Sequence, residues 1–130
     1  MAATRTVSTR EAPTPAGHYS QAVVHNGLVF VAAQLPVSVE RPGQVVGGSA
    51  AAQAEQALRN VLAIVRAAGS DVSRILKVTV YLADTGDWDE VNAVYARVMG
   101  EHKPARAMIP TGRALHLGAL VGVEAIAAVD

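Results

Sequence analysis

Between Ile75 and Ala83 the chain alternates sharply, placing Leu76, Val78, Val80 and Leu82 on one face and Lys77, Thr79 and Tyr81 on the other. That period of two marks a strand half buried against a core. Two further apolar runs, Tyr19–His25 and Leu28–Ala33, flank Asn26-Gly27. This dipeptide tolerates positive φ at both central positions of a type I′ turn, so the three pieces predict a hairpin. After Ser49 the period lengthens to that of a helix, with Ala54, Ala57, Leu58, Val61, Leu62, Val65 and Ala68 on one stripe and Gln56, Arg59, Asn60 and Arg66 facing elsewhere. Ser49 suits the N-cap and Gly69 the residue just past the end. A second stripe, Trp88, Val91, Val94, Tyr95 and Val98, follows an Asp87/Glu90 capping-box pattern and ends at Gly100. Two more strands are expected at Ala105–Ile109 and Leu120–Val129, separated by a glycine-containing turn.

The remaining segments lack periodicity. Pro42-Gly43 and Gly47-Gly48 punctuate a loop with a short strand expected at Gln44–Val46. Residues 1–15 carry two prolines and read as a flexible arm outside the core, leaving 16–130 as one domain. The order β-β-(β)-α-β-α-β-β implies an α+β fold with parallel crossovers around the helices and antiparallel partners at the ends. Each helix has a single apolar stripe, so both are expected on one face of a mixed sheet. The other face, carrying Lys77, Thr79 and Tyr81 among small apolar neighbours, then calls for association with further copies of the chain.

Composition narrows the chemistry. The 130 residues are 51% hydrophobic and 17% charged, enough for one core and incompatible with wholesale disorder. Eleven basic residues balance eleven acidic ones, and aromatics make up only 4%. A nucleic-acid-binding surface is therefore not expected. The absence of cysteine removes disulfides, thiolate metal sites and a thiol nucleophile together. No run approaches the about 18 apolar residues of a membrane span, and the first residues lack a signal-peptide pattern, so a soluble cytoplasmic protein is expected. His18, His25, His102 and His116 have no metal-ligand spacing. Gly47-Gly48-Ser49 lacks the Lys-Ser/Thr of a phosphate loop, and no serine sits in a Gly-x-Ser-x-Gly elbow.

Two charges interrupt apolar strands. Arg106, in Pro104-Ala105-Arg106-Ala107-Met108-Ile109, presents either a planar fork aimed outward from the sheet at whatever lies beside it or an edge-strand charge that discourages aggregation. Glu124, in Val121-Gly122-Val123-Glu124-Ala125-Ile126-Ala127, stands either on the solvent side of an edge strand or in an ion pair with a strand arginine. Tyr19 follows Gly17-His18 at the start of a strand.

Taken in order, these pieces resemble the Rid (YjgF/UK114) family of reactive-intermediate deaminases from about Pro15 onward. The resemblance rests on Gly17-His18-Tyr19-Ser20-Gln21-Ala22, Ala32-Ala33-Gln34-Leu35-Pro36, Gln53-x-x-Gln56-Ala57-Leu58-x-Asn60-Val61, Ala67-Ala68-Gly69, Val78-Thr79-Val80-Tyr81-Leu82, Val91-Asn92, Pro104-Ala105-Arg106 and Val123-Glu124-Ala125-Ile126-Ala127. It implies a chorismate-mutase-like subunit in a homotrimer with sites between subunits, and cofactor-free, metal-free hydrolysis of 2-imino or 2-enamino acids to 2-oxo acids and ammonia. Carried over residue by residue, Arg106 is expected to clamp the substrate carboxylate, Glu124 to orient the water and move its proton, and Tyr19 to close the pocket. Ala33 and Met108 stand where the family often has glycine and Cys or Thr, and are expected to narrow and grease the substrate pocket. Thr111–Gly118 also departs from the familiar deaminases, with Arg113 offering a second cation. Family membership leaves two further readings, a non-catalytic trimer that binds small carboxylates and an RNA-acting protein, the latter opposed by the neutral charge balance.

Overall fold

Asn26 and Gly27, at φ 50° and 75°, close the turn that the sequence predicts. They join β2 (Ala22–His25) to β3 (Leu28–Gln34) in antiparallel register. The computed structural model describes residues 3–130 and adds four strands, β1 (Arg5–Val7), β4 (Ile75–Leu82), β5 (Ala105–Pro110) and β6 (Val121–Ala128), with two helices, α1 (Ala50–Ala67) and α2 (Trp88–Met99). The strands form one sheet in the order β1-β2-β3-β6-β4-β5, in which β4 and β5 pair in parallel and the other neighbours antiparallel. This is the expected α+β mixed sheet with its helices on one face. Among the described residues, no helix is long and apolar enough to cross a membrane.

The helix boundaries follow from local chemistry. Ser49 accepts a hydrogen bond from the Ala52 N–H at 3.2 Å, and at the other end Gly69, at φ 92°, lets the N–H groups of Gly69 and Ser70 reach the Arg66 and Val65 carbonyls. The capping box expected at α2 does not form. Asp87 makes no side-chain cap; Asp84 caps the preceding one-turn 3-10 helix through Gly86 N–H, and Glu90 instead accepts from Ala51 N–H at the start of α1. Val61, Ile64, Val65, Val78, Val80, Val91, Val121 and Val123 meet between the helices and the sheet as a buried aliphatic core.

Four other expectations need correction. Residues 3–15 are not a free arm: β1 pairs with β2, and Val7 and Ala12 join the core. Buried Gln21 holds this segment down, accepting from Thr9 N–H and donating to the Thr9, Ala12 and Pro13 carbonyls. Met1 and Ala2, the start of that expected arm, lie outside the described residues. The short strand at Gln44–Val46 reduces to a single bridge between Val37 and Val45. In β4 a bulge inserts Leu76 between the Ile75/Ala127 and Lys77/Ile126 pairs, so Ile75 is buried and Leu76 is turned outward. Asn60, assigned to the polar side of α1, is buried and donates to the Leu35 and Val37 carbonyls.

The face away from the helices is uncovered. Register places Val23, Phe30, Ile126 and Lys77 in one row across it and Tyr81 beside Ile109 in another, with Thr79 and Glu124 between. Phe30 and Ile109 are each more than two-fifths exposed there.

Candidate functional site

The predicted site residues fall into two groups on opposite sides of the sheet. Arg106 pairs in register with Val78, whose side chain is buried beneath the helices, so the guanidinium projects toward α2. Its Nη1 donates to Asn92 Oδ1 at 2.7 Å. The guanidinium carbon lies 4.7 Å from the Tyr95 ring centroid and 5.5 Å from that of Trp88. Two aromatic faces and one amide therefore fix the plane and rotation of the cation. None of these partners neutralises it, and among the described ion pairs no carboxylate engages Arg106. A guanidinium offers five N–H donors, so most of the fork is free to hold a planar anion.

Spacing on α2 explains how the chain builds this cradle. Trp88, Asn92 and Tyr95 stand four and three residues apart and share one side of the helix. Tyr95 is buried, and its hydroxyl has no protein partner. Burial pushes its phenol above the ordinary range, while the Arg106 charge acts in the opposite sense. Met108 lies two residues after Arg106, opposite buried Val80, and packs part-buried against the core.

Glu124 occupies the other face. It stands opposite Thr79 on β4, and Tyr81 Oη donates to its Oε1. On its β3 side a bulge sets Ala32 and Ala33 together against Glu124, between the Val31/Ala125 and Gln34/Val123 pairs. A bulge of this kind bends the strand and re-aims the residues it carries. Ala33 thereby reaches a cavity of about 240 Å³ whose wall also includes Arg10, Pro13, Tyr19, Ser38 and His116. Met108 does not line it. Tyr19 is exposed at its rim, and Leu117, at φ 63°, turns the loop that brings His116 there. Arg113, the possible second cation, is exposed on the same loop and lies outside the cavity wall.

The structure thus joins Tyr19 and Ala33 at one cavity, places Glu124 beside Ala33 in register, and sets Arg106 with Met108 across the sheet. Sequence reasoning missed Trp88, Tyr95 and Asn92 as partners of Arg106, because two of them read as core stripe. It also missed Tyr81 as the partner of Glu124, although the alternation had put Tyr81 on the polar side. No group of three or more His, Cys, Asp or Glu side chains suited to a metal ion occurs among the described residues.

Comparison with known proteins adds to this geometry. A family model described as Endoribonuclease L-PSP matches residues 9–129. A RutC family protein of Pyrococcus horikoshii is 41% identical over 93% of this chain and 94% of its own length. The human 2-iminobutanoate/2-iminopropanoate deaminase is 38% identical over 95% of this chain and 88% of its own. The crystal structure of Escherichia coli TdcF with bound serine superposes with a TM-score of 0.89 at 33% identity, covering 97% of this chain and 99% of that one.

Proposed function

The chain belongs to the YjgF/Rid family, whose model carries the description Endoribonuclease L-PSP, and from that premise we propose that it hydrolyses small 2-imino acids to 2-oxo acids and ammonia. The observation that carries this reading is the cradle of Arg106. A cation held flat by neutral partners keeps its charge and its fork for a substrate carboxylate, as an imino acid requires. Binding of serine by TdcF and the name of the human relative both favour a ligand of amino-acid size and a C=N bond as the group attacked.

In this mechanism Arg106 holds the carboxylate and thereby fixes the adjacent imine carbon. Glu124 orients a water and takes its proton as the oxygen attacks that carbon, forming a carbinolamine. That proton passes to the imine nitrogen to complete the carbinolamine. Glu124 then takes the carbinolamine hydroxyl proton and delivers it to the same nitrogen, so that the C–N bond breaks, the carbonyl forms and neutral ammonia leaves. The imine carbon is already electrophilic, so these groups suffice for the step. Tyr19 closes the pocket beside Ala33.

Arg106 and Glu124 lie on opposite faces of one sheet, so a site that uses both draws them from different copies of the chain. We therefore place the reaction in clefts between subunits of a homotrimer, with the uncovered apolar face of the sheet buried inside it. The test couples the purified protein to an amino-acid oxidase or a serine dehydratase and follows decay of freshly formed 2-iminopropanoate. Acceleration over spontaneous hydrolysis is expected. Carboxylate binding without acceleration would replace the enzyme with a binding protein, and RNA cleavage in place of imine hydrolysis would overturn the reading.

A further inference from the structure

The mechanism gives Tyr81 no part, yet its hydroxyl donates to Glu124 Oε1. The two residues stand on neighbouring strands, Tyr81 two positions beyond Thr79, which faces Glu124 directly. Gly122, opposite Tyr81, carries no side chain, and a Cβ there would lie only 3.2 Å from Leu115 Cδ1. On β5 the neighbours facing this pair are Ala107 and Ile109, and the bulged segment of β3 supplies Ala32 and Ala33. None of these can hydrogen-bond a carboxylate through a side chain. Lys77, beyond Thr79 on the same face, is the other ionisable group on β4. Tyr81 is thus the side-chain donor that the structure gives to Glu124.

We infer that Tyr81 is a positioning residue for the water-activating carboxylate, an inference that rests on the deaminase reading above. By engaging Oε1, the phenol fixes the rotation of the carboxyl plane and leaves Oε2 to hold the attacking water. A phenol can do this only while protonated. The bond to Glu124, then burial and the nearby negative charge, raise the Tyr81 phenol above its ordinary range, so it remains a donor through neutral pH.

Tyr81→Phe removes the hydroxyl and keeps the ring. In the coupled imine assay it should lower kcat about tenfold and leave KM within about twofold, because the carboxylate clamp is elsewhere. A cycle with Glu124→Gln separates positioning from general damage. If Tyr81 acts through Glu124, adding Tyr81→Phe to Glu124→Gln should cause no further loss. The contact is also read without turnover, by alkaline titration of tyrosinate absorbance. The component lost in Tyr81→Phe should titrate at lower pH in Glu124→Gln than in the parent. An active parent whose kcat is unchanged by Tyr81→Phe, or losses that multiply across the cycle, would overturn the inference and leave the deaminase reading intact. A parent inactive on imino acids would overturn both, whatever the titration shows.

Discussion

Arg106 and Glu124 are chemically simple residues whose partners define what they can do. Trp88, Tyr95 and Asn92 hold the Arg106 guanidinium without neutralising it, which leaves its charge for the carboxylate of the proposed substrate. Replacing Arg106 with Ala should therefore abolish imine hydrolysis and weaken binding of pyruvate-like acids by about 2–5 kcal/mol, measured by calorimetry. Lys should rescue little, since a point charge neither stacks on both rings nor grips a carboxylate in two places. An Arg106→Ala protein that turned over iminopropanoate at the parent rate would refute the mechanism. Glu124→Gln keeps shape and removes the base, so turnover should fall roughly 10²-fold while the same acids still bind. Unchanged turnover would return Glu124 to the role of an ordinary strand carboxylate. Met108 packs against the core on the arginine side, so Met108→Thr is expected to lower stability by about 1–2 kcal/mol in a denaturant titration. Stability equal to the parent, with a widened range of imino acids, would show instead that Met108 faces the substrate.

At the scale of elements, buried amides tie loops to the sheet and so shape the cavity. Gln21 uses both ends of its side chain to anchor residues 9–13, and the wall formed by Arg10, Pro13 and Tyr19 depends on that segment. Gln21→Leu would leave the Thr9 N–H and several carbonyls without this partner. A loss of about 1–3 kcal/mol is expected, with faster hydrogen exchange confined to residues 5–19. Exchange that quickened evenly over the whole sheet would argue against such local anchoring. Gly69 acts at a boundary. Its φ of 92° disfavours any side chain, although Val129 Cγ2 at 3.6 Å leaves room for a methyl group. Gly69→Ala should therefore cost about 1 kcal/mol through backbone strain alone and leave catalysis unchanged. A Tm equal to the parent's would mean that the helix end relaxes into another conformation.

For the whole molecule, the uncovered sheet face and the split site make the same demand. Phe30, Ile109 and Ile126 on an open face favour burial against other copies, and Arg106 and Glu124 can serve one substrate only if copies share a cleft. Light scattering at micromolar concentration should give the mass of a trimer, and a monomer would remove the shared sites. Mixing offers a sharper measurement. Arg106→Ala and Glu124→Gln proteins, each nearly inactive alone, should regain activity when equal amounts are unfolded and refolded together, at about one quarter of the sites if assembly is random. No recovery in mixed trimers would place both groups in the same subunit's site.

Strands β2 to β6, the two helices and their order are legible from local chemistry alone. Alternation in β4, the Asn26-Gly27 turn, the Ser49 cap and the Gly69 stop all act within a few residues, and the apolar stripes dictate which side of each helix is buried. From these follow the α+β class and the single covered face. The order of short motifs also identifies the family, and through it the candidates Arg106, Glu124, Tyr19, Ala33 and Met108. The rest depends on partners distant in the chain, which packing alone brings together. The pairing of β1 needs the edge of β2, and Asn60 and Gln21 are buried because loops bring carbonyls to them. The bulges at Leu76 and at Ala32-Ala33 add one residue to a strand without changing its composition, so a periodic reading passes over them. Yet those bulges decide which side chains turn outward and which face Glu124. The cradle around Arg106 was hidden for the same reason: Trp88 and Tyr95 satisfy the helix stripe equally well as core, and only packing α2 over β5 turns them into a seat for a cation.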